Sequence, residues 1–416
     1  MPRLAFRFAV VYLALFCLAT QISGSMVPNL LVSYRGLGRL WPMRDITGWT
    51  ASSVFGIDVP LDAASGGETL FFWVQSAWIL IAAVLITATW IAVDRRPRHD
   101  ALNRWFRLFV RLALAASLLE YGMTKVIPTQ FPAPPLTTLV TPVGNLSLSA
   151  LLWTSVGAAQ PYQIFTGCIE VLAAILLLIP RTATLGAAVG LVALIQIFAL
   201  NMTYDIGVKF VTLHLIALTL IVMAPDLPRL VDFFWRHRPA AASIPAPPVQ
   251  GARARRLIAG AQIAFGLYLL GMYAFINWSF WNVAGDGRPR SVLYGIWNVE
   301  ALSVDGQLRP PDLNDYDRRW RRVIFDDPDV VVVQRTDDSL ARFGAALDPQ
   351  QGVLSLRKGT SRKWQAAFTI ARESPDTLML LGTMDGQRLE ARLRRVDFEA
   401  FPLLHSTFRW VRPHDP

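Results

Sequence analysis

The sequence predicts a polytopic α-helical membrane protein with a C-terminal all-β domain, and three observations lead to this fold class. Hydrophobic residues make up 53% of the 416-residue chain and charged residues only 17%, whereas soluble domains carry roughly a quarter. Several apolar runs approach the ~20 residues that a helix needs to cross a bilayer. From about Arg290 onward, charges become frequent and apolar and polar residues alternate, which is typical of strands.

About seven apolar runs are predicted to span the membrane as helices. They cover Phe6–Ile22, Leu70–Val93, Trp105–Tyr121, Gln163–Ile179, Ala183–Leu200, Ile206–Met223 and Leu257–Ile276. The first run follows Arg3 and Arg7, as the apolar part of a signal peptide also does. We interpret it as an uncleaved helix, because the residues after it match a small-residue cleavage site only loosely.

Arginine-rich loops predict the orientation of these spans. The loop "DRRPRHDALNRWFR" after the second span, Arg181 after the fourth and the linker after the sixth all fall on the side of the N-terminus. The stretch from Val126 to Gln163 falls on the other side and has no charged residue. By the positive-inside rule, the N-terminus is cytoplasmic and the C-terminal domain lies outside the membrane. We therefore expect an integral membrane protein with an extracytoplasmic C-terminal domain. Membrane lipid is its expected partner and nucleic acid is not, because the net charge of +10 says little about nucleic acid in a membrane protein.

Changes in composition divide the chain into five parts. Residues 1–101 hold two helices and an external loop at 24–68, 102–226 form a four-helix core, and 227–256 form a cytoplasmic linker. Residues 257–281 are the seventh span, and 290–416 are the external β domain. Within the charge-free stretch, "LSLSALLWTSVG" is expected to lie on the membrane surface or to dip into it.

About eight short strands fit between Val292 and Val396, separated by turn signals such as Asp305-Gly306 and Asp385-Gly386. So many strands in so short a stretch favour a closed up-and-down barrel. The Gly-x-Trp of "YGIWNVEALSVDG", at Gly295 and Trp297, resembles the opening of lipocalin-like barrels. That resemblance implies that the Trp packs under an arginine of the last strand, for which the sequence offers Arg392, Arg394 and Arg395.

Cysteine and histidine usage argues against several cofactor classes. The two cysteines, Cys17 and Cys168, both fall in apolar runs, and the sequence has no CxxC motif. We therefore expect neither a disulfide framework nor an iron–sulfur or zinc site. His214 is the only histidine in a predicted span, so we expect neither a haem pair nor any covalently bound cofactor.

Ionisable and amide side chains in or beside the predicted spans are the candidate site, because such residues are costly in a membrane and are often functional. The predicted topology places them in the outer half of the bilayer. Asn201, Asp205 and Lys209 share one face if the turn between their helices is helical. The candidates are Glu120, Tyr121, Lys125, Glu170, Asn201, Asp205, Lys209 and His214.

Some of these residues also have structural interpretations. Asp205 and Lys209 could form a local pair at a helix end, with the lysine reaching to the interface. His214 could be a hydrogen-bonded packing residue. Glu170 is harder to explain in this way, because its own helix offers no opposite charge.

Spans three to six resemble the four-helix DoxX family of bacterial membrane proteins. The matching segments are "LLEYGMTKVIP", "YQIFTGCIEVLAAILLLIPRTATLGA" and "LNMTYDIGVKFVTLHLIAL". The family's G-x-x-K motif falls on Gly122 and Lys125, and its G-x-x-E motif on Gly167 and Glu170. The family is named after a subunit of a thiosulfate:quinone oxidoreductase, and other members are associated with membrane redox and thiol-stress complexes. The resemblance covers less than a third of the chain and is to the larger DoxX-like proteins, which add flanking helices and an external C-terminal domain. It implies a membrane redox role in the bacterial inner membrane, with a periplasmic C-terminal domain.

Three hypotheses follow. In the first, the protein is a quinone-linked redox component with protein or thiol electron donors. Glu170, Glu120, Tyr121 and Asp205 then exchange protons, and Lys125, Asn201, Lys209 and His214 bind the ligand. In the second, it is a non-catalytic protein that binds a lipid or another hydrophobic ligand in the barrel. In the third, it is an envelope scaffold. The sequence predicts no oligomeric state.

Overall fold

The computed structural model describes residues 3–28, 36–61, 67–96, 98–239, 248–311, 315, 319–359, 364–404 and 410–411. The predicted loop 24–68, the linker 227–256 and the β domain 290–416 each include positions outside these residues. The described helices are α1 (Arg3–Ala19), α2 (Gln21–Met26), α3 (Met43–Val54), α4 (Leu70–Val93), α5 (Asp100–Val126), α6 (Leu136–Leu139), α7 (Leu148–Ala158), α8 (Gln160–Leu178), α9 (Ala183–Thr203), α10 (Lys209–Met223), α11 (Leu227–Phe234) and α12 (Ala252–Val283).

The described strands are β1 (Gly295–Val304), β2 (Gln307–Leu308), β3 (Trp320–Phe325), β4 (Val330–Arg335), β5 (Leu340–Asp348), β6 (Val353–Arg357), β7 (Gln365–Ser374), β8 (Thr377–Met384) and β9 (Gln387–Arg395). The chain folds into two compact units. The helical unit comprises Met1–Gln130 and Pro161–Ser279, and the barrel unit comprises Phe131–Gln160 and Phe280–Pro416.

Within the described residues, four helices are long and apolar enough to cross a membrane, namely α4, α8, α9 and α12. α10 and α11 together meet the same criteria, but they meet at a bend of 79°. Pro225 lies at this bend, where a proline cannot continue the helical hydrogen bonding. The α-helical membrane character that the sequence predicts is thus confirmed, and α4 has the bounds of the predicted second span.

The core of the helical unit is one continuous cluster of apolar side chains. Its members come from α1, α2, α5, α8, α9, α10 and α12. Small residues allow close packing in this core: a Cβ on Gly186 of α9 would lie 2.8 Å from the Ala173 carbonyl oxygen of α8. The first and last long helices therefore pack in the same core as the four central helices that the sequence predicts.

The barrel unit contains a closed antiparallel barrel, as the sequence predicts. Eight strands run in the order β1, β3, β4, β5, β6, β7, β8 and β9, and pairing of β9 with β1 closes the sheet. β2 forms only a short hairpin with the end of β1. Asp305-Gly306 and Asp385-Gly386 both have positive φ values, which two-residue hairpins of type I′ require.

Large apolar side chains fill the barrel interior. Five of them are the aromatic residues Trp297, Trp320, Phe325, Phe343 and Phe368, all buried in one cluster with aliphatic residues from most of the strands. Arg395 pairs in register with Trp297. The Arg395 Nε and Trp297 Nε1 atoms lie 3.4 and 3.5 Å from the position that a Cβ on Gly295 would occupy. Arg395 is thus the predicted arginine that lies beside the tryptophan.

The charge-free segment between α5 and α8 packs on the barrel. The Leu136 N–H donates to Asp326 Oδ2 at 3.0 Å, and Gln334 Nε2 donates to the Val140 carbonyl at 3.0 Å. Leu136 also lies in an apolar cluster with Ile296 of β1. The predicted membrane-surface stretch "LSLSALLWTSVG" forms α7, which belongs to this unit.

Candidate functional site

A buried lysine–glutamate pair joins α5 to α8 in the helical unit. Lys125 Nζ lies 2.7 Å from Glu170 Oε1 and 2.9 Å from Glu170 Oε2, so the ammonium donates to both carboxylate oxygens. Glu170 is only 2% exposed, and Lys125 is also buried. The charge that offsets Glu170 therefore comes from the neighbouring helix rather than from its own.

Two glycines allow this pair to form, because they let the helices touch. A Cβ on Gly167 would lie 2.7 Å from the Gly122 carbonyl oxygen, and a Cβ on Gly122 would lie 3.0 Å from the Gly167 carbonyl oxygen. Such small-residue contacts are a common way for membrane helices to approach closely. Each glycine precedes the charged residue by three positions, and such neighbours lie on the same side of a helix. The glycine of each motif thus allows the close helix contact at which the lysine of one motif meets the glutamate of the other.

Other polar side chains surround the pair and belong to α2, α5 and α12. Ser25 Oγ donates to Glu120 Oε2, and Gln21 Nε2 donates to the Tyr121 hydroxyl. The Tyr273 hydroxyl donates to the Ser25 carbonyl at 2.8 Å.

Tyr121 connects this group to the ion pair. Lys125 Nζ lies 3.3 Å from the Tyr121 carbonyl oxygen and 5.9 Å from the centre of its ring. Glu120, Tyr121, Lys125 and Glu170, all predicted from the sequence, thus belong to one polar group, which we call the α5–α8 site.

Gln163 is a polar residue on the same helix that the sequence analysis did not select. It is fully buried, and among the described residues neither its Oε1 nor its Nε2 has a hydrogen-bond partner. Gln163, Gly167 and Glu170 have helical spacings of four and three, so they share one face of α8. Gln163 lies about 10 Å from Glu170 along the helix axis. Buried amides nearly always have partners, so Gln163 offers unused hydrogen-bonding capacity on the face that carries the site.

Asp205 and Lys209 form a second ion pair, but at the surface. α9 ends at Thr203 and α10 begins at Lys209. Asp205 lies between them with a φ of 53°. The turn is therefore not helical, and the predicted continuous face does not extend through it. The hydrogen bond from the Lys209 ammonium holds the pKa of the Asp205 carboxyl below its ordinary value. This pair matches the local helix-end interpretation.

Asn201 and His214 are buried, each with its own partners. Asn201 Nδ2 donates to Thr212 Oγ1 at 2.9 Å and thereby links α9 to α10. His214 Nε2 lies 2.9 Å from the Tyr12 hydroxyl, and its Nδ1 lies 2.8 Å from the Phe210 carbonyl oxygen. The His214 ring also stacks on Phe16 of α1, with the ring centres 3.7 Å apart. These contacts match the packing interpretation of His214.

The chemistry of the α5–α8 site is that of proton exchange and of anion stabilisation. Glu170 and Glu120 offer carboxylates, Tyr121 and Tyr273 offer hydroxyls, and Lys125 offers a positive charge. Within the described residues, no group of three or more histidine, cysteine, aspartate or glutamate side chains is arranged to hold a metal ion.

Comparison with known proteins finds a relative of this chain. Over 143 residues it is 35% identical to the uncharacterized protein YwoB of Bacillus subtilis (strain 168). The match covers 34% of this chain and 86% of YwoB. No family model matches the chain, and no solved structure gives a significant match.

Proposed function

The chain belongs to the same family as YwoB, and we propose that its helical unit binds a lipid-soluble redox carrier, a quinone, in a proton-linked manner. The observation that carries this proposal is the buried pair of Lys125 and Glu170. A buried ion pair contributes little net stability, because both charges lose their hydration. Ionisable residues within membrane helices generally serve a ligand or a proton pathway.

The roles of the residues follow from their chemistry. Reduction of a quinone to a quinol takes up two electrons and two protons. Glu170 and Glu120 would each take up a proton from water and pass it to the reduced ring, and Lys125 would stabilise the anionic oxygen of a partly reduced ring. The free amide of Gln163 would donate a hydrogen bond to a ring oxygen. The electrons would come from a partner protein or from a thiol substrate.

We further propose that this helical unit is DoxX-like. Support comes from Gly122 with Lys125 and Gly167 with Glu170, which bring the two motifs of that family together at one contact. In this view the protein is an accessory component of an inner-membrane oxidoreductase. The number of spans would be seven, with the shorter α1 and the more charged α5 among them.

The proposed location places the N-terminus in the cytoplasm and the barrel in the periplasm. Support comes from the segment between α5 and α8, which packs on the barrel within one unit. In this proposal the segment and the barrel would lie on the side of the membrane opposite to the arginine-rich loops, as the positive-inside rule predicts. The barrel would be lipocalin-like, as Gly295, Trp297 and Arg395 favour.

The experiment compares the small molecules that copurify with three full-length proteins in mild detergent. These are the wild type, Glu170→Gln and the matched control Asp205→Asn, which removes a charge from the surface pair instead. Extraction and mass spectrometry should recover a quinone from the wild type and from the control. We expect at least about tenfold less from Glu170→Gln, since loss of one charged hydrogen bond corresponds to roughly this factor. Equal quinone in all three proteins, or none in the wild type, would contradict the proposal.

A second candidate function, an envelope scaffold, is favoured by the filled barrel interior. Buried aromatic and aliphatic side chains occupy the space that a lipid would need. The barrel is therefore better suited to contact another protein than to carry a ligand.

If the extraction yields a phospholipid in equal amounts from all three proteins, non-catalytic lipid binding in the helical unit becomes the better interpretation.

A further inference from the structure

The helical unit contains a second feature, a basic cavity at the opposite ends of its helices. The cavity measures about 550 Å³ and lies where α5, α9 and α12 begin and where α8 and α10 end. Six arginines line it, and we call it the arginine cavity. They are Arg104, Arg107, Arg111, Arg181, Arg229 and Arg255.

The positive charge of this cavity is largely uncompensated. Among its described lining residues the one acidic side chain is Asp226. That carboxylate accepts hydrogen bonds from Arg229 and from Thr184. The Nε atoms of Arg104 and Arg111 are buried and have no hydrogen-bond partner among the described residues. Buried guanidinium donors without acceptors are costly, so an anion bound here would stabilise these two groups.

The remaining walls are mostly apolar, apart from Gln262, whose Oε1 accepts a hydrogen bond from Arg111 Nη2. Leu108, Val222 and Ile258 line the cavity together with prolines and alanines. Helix ends lie where the polar surface of a bilayer begins, and Leu108 and Ile258 lie about two turns further into α5 and α12. A ligand that fits both regions has a negatively charged head and an apolar tail.

We propose that the arginine cavity binds the phosphate of an anionic phospholipid. Arginine suits this task, because its planar fork donates two parallel hydrogen bonds to a phosphate. Basic pockets between membrane helices on the cytoplasmic side are suited to such headgroups. The acyl chains lie against Leu108, Val222 and Ile258. Independently of quinone binding, this site ties the protein to a membrane that contains anionic lipid.

The test measures lipid retention by the full-length protein. Protein purified from membranes in mild detergent is exchanged into detergent that contains phosphatidylcholine, and the phosphatidylglycerol that remains bound is counted by mass spectrometry. Arg107→Gln with Arg255→Gln removes two charges from the cavity. The matched control is Arg95→Gln with Arg256→Gln, which removes two charges outside it. Arg256 is the immediate neighbour of Arg255 on α12, so the two variants differ in position and not in total charge.

We expect the cavity variant to retain at least about tenfold less phosphatidylglycerol than the wild type and the control to retain as much as the wild type. Equal losses in both variants would show only general attraction between arginines and anionic lipid, and would overturn the proposal. Arg107→Lys with Arg255→Lys keeps the charge and should retain an intermediate amount of phosphatidylglycerol. This partial retention would show that the loss in the cavity variant is not caused by misfolding.

A soluble phosphate compound would offer the same phosphate group to the arginine cavity as an anionic phospholipid does. Inorganic phosphate added to lipid-depleted protein should raise the melting temperature less than phosphatidylglycerol does. An equal rise with inorganic phosphate would overturn the assignment to a lipid. Quinone recovery from the cavity variant should equal that from the wild type, so failure of this proposal is distinguishable from failure of the proposed function.

Discussion

Two lysine–carboxylate pairs in the helical unit have the same nitrogen–oxygen distance and opposite surroundings. Lys125 lies 2.7 Å from Glu170, and Lys209 lies 2.7 Å from Asp205. The side chains of the first pair are 9% and 2% exposed, and those of the second are 29% and 87% exposed. Exposed pairs contribute little to stability, whereas each charge of a buried pair depends on the other. Burial, rather than contact distance, thus separates a candidate site from a surface pair.

The largest difference between the two pairs should appear when one carboxylate loses its charge. Glu170→Gln leaves the Lys125 ammonium buried without a counter-charge. We expect the free energy of unfolding to fall by about 3–5 kcal/mol. Titration of the solubilised protein with a denaturing detergent measures this change. A loss no larger than that of Asp205→Asn would show that the two pairs are equivalent, contrary to the comparison.

An intermediate effect should follow from pushing α5 and α8 apart. In Gly167→Ala the added methyl group would lie 2.7 Å from the Gly122 carbonyl oxygen. The helices must separate, which we expect to cost about 1–3 kcal/mol of stability and to reduce quinone recovery. Gly271→Ala is the control, because a Cβ there meets open space. If both variants unfolded at the wild-type temperature and kept their quinone, the close contact of α5 and α8 would not be needed for the buried pair to bind it.

The smallest effect should come from the exposed pair. Asp205→Asn keeps a residue type that tolerates a positive φ, so its melting temperature should match that of the wild type at neutral pH. Because the pKa of Asp205 is lowered in the folded state, any contribution of the pair is present above the ordinary aspartate pKa. This contribution disappears as the pH falls through the lowered value. A wild-type advantage that grows on acidification would contradict this account.

Sequence reasoning selected Lys125 and Glu170 as site residues, but it predicted neither their pairing nor the partners around them. Lys125 and Glu170 could be expected near each other, because the predicted topology places both in the outer half of the membrane. Gln21, Ser25 and Tyr273 lie far away along the chain, and their approach depends on how α2 and α12 pack. No local pattern encodes that packing.

Other predicted site residues share a region of sequence without sharing a site. Asn201, Asp205 and Lys209 have helical spacing, yet α9 ends at Thr203. The turn that follows is not helical, so the three residues do not share one helix face. His214 contacts Tyr12 of α1, which is the first predicted span, whereas the other candidate residues lie on or beside spans three to six. The roles proposed for them, proton exchange for Asp205 and ligand binding for Asn201, Lys209 and His214, stay predictions. Gln163 could have been found, since it shares the face of α8 that carries Gly167 and Glu170.

The barrel shows which features local chemistry determines. Asp305-Gly306 and Asp385-Gly386 form the predicted hairpins, because these residue pairs accept positive φ values. The docking of Leu136 and Val140 on the barrel was not predicted. A charge-free apolar segment fits a lipid surface and a protein surface equally well, so its sequence does not distinguish the two.

The most direct test of the central claim replaces both members of the buried pair. Lys125→Met with Glu170→Leu removes both charges together and keeps the volume nearly unchanged. Because apolar replacements of buried ion pairs are often neutral or stabilising, we expect this variant to unfold with at least the free energy of the wild type. We expect it to release no quinone on extraction. A stable double variant that still carries the wild-type amount of quinone would show that the pair does not bind the carrier.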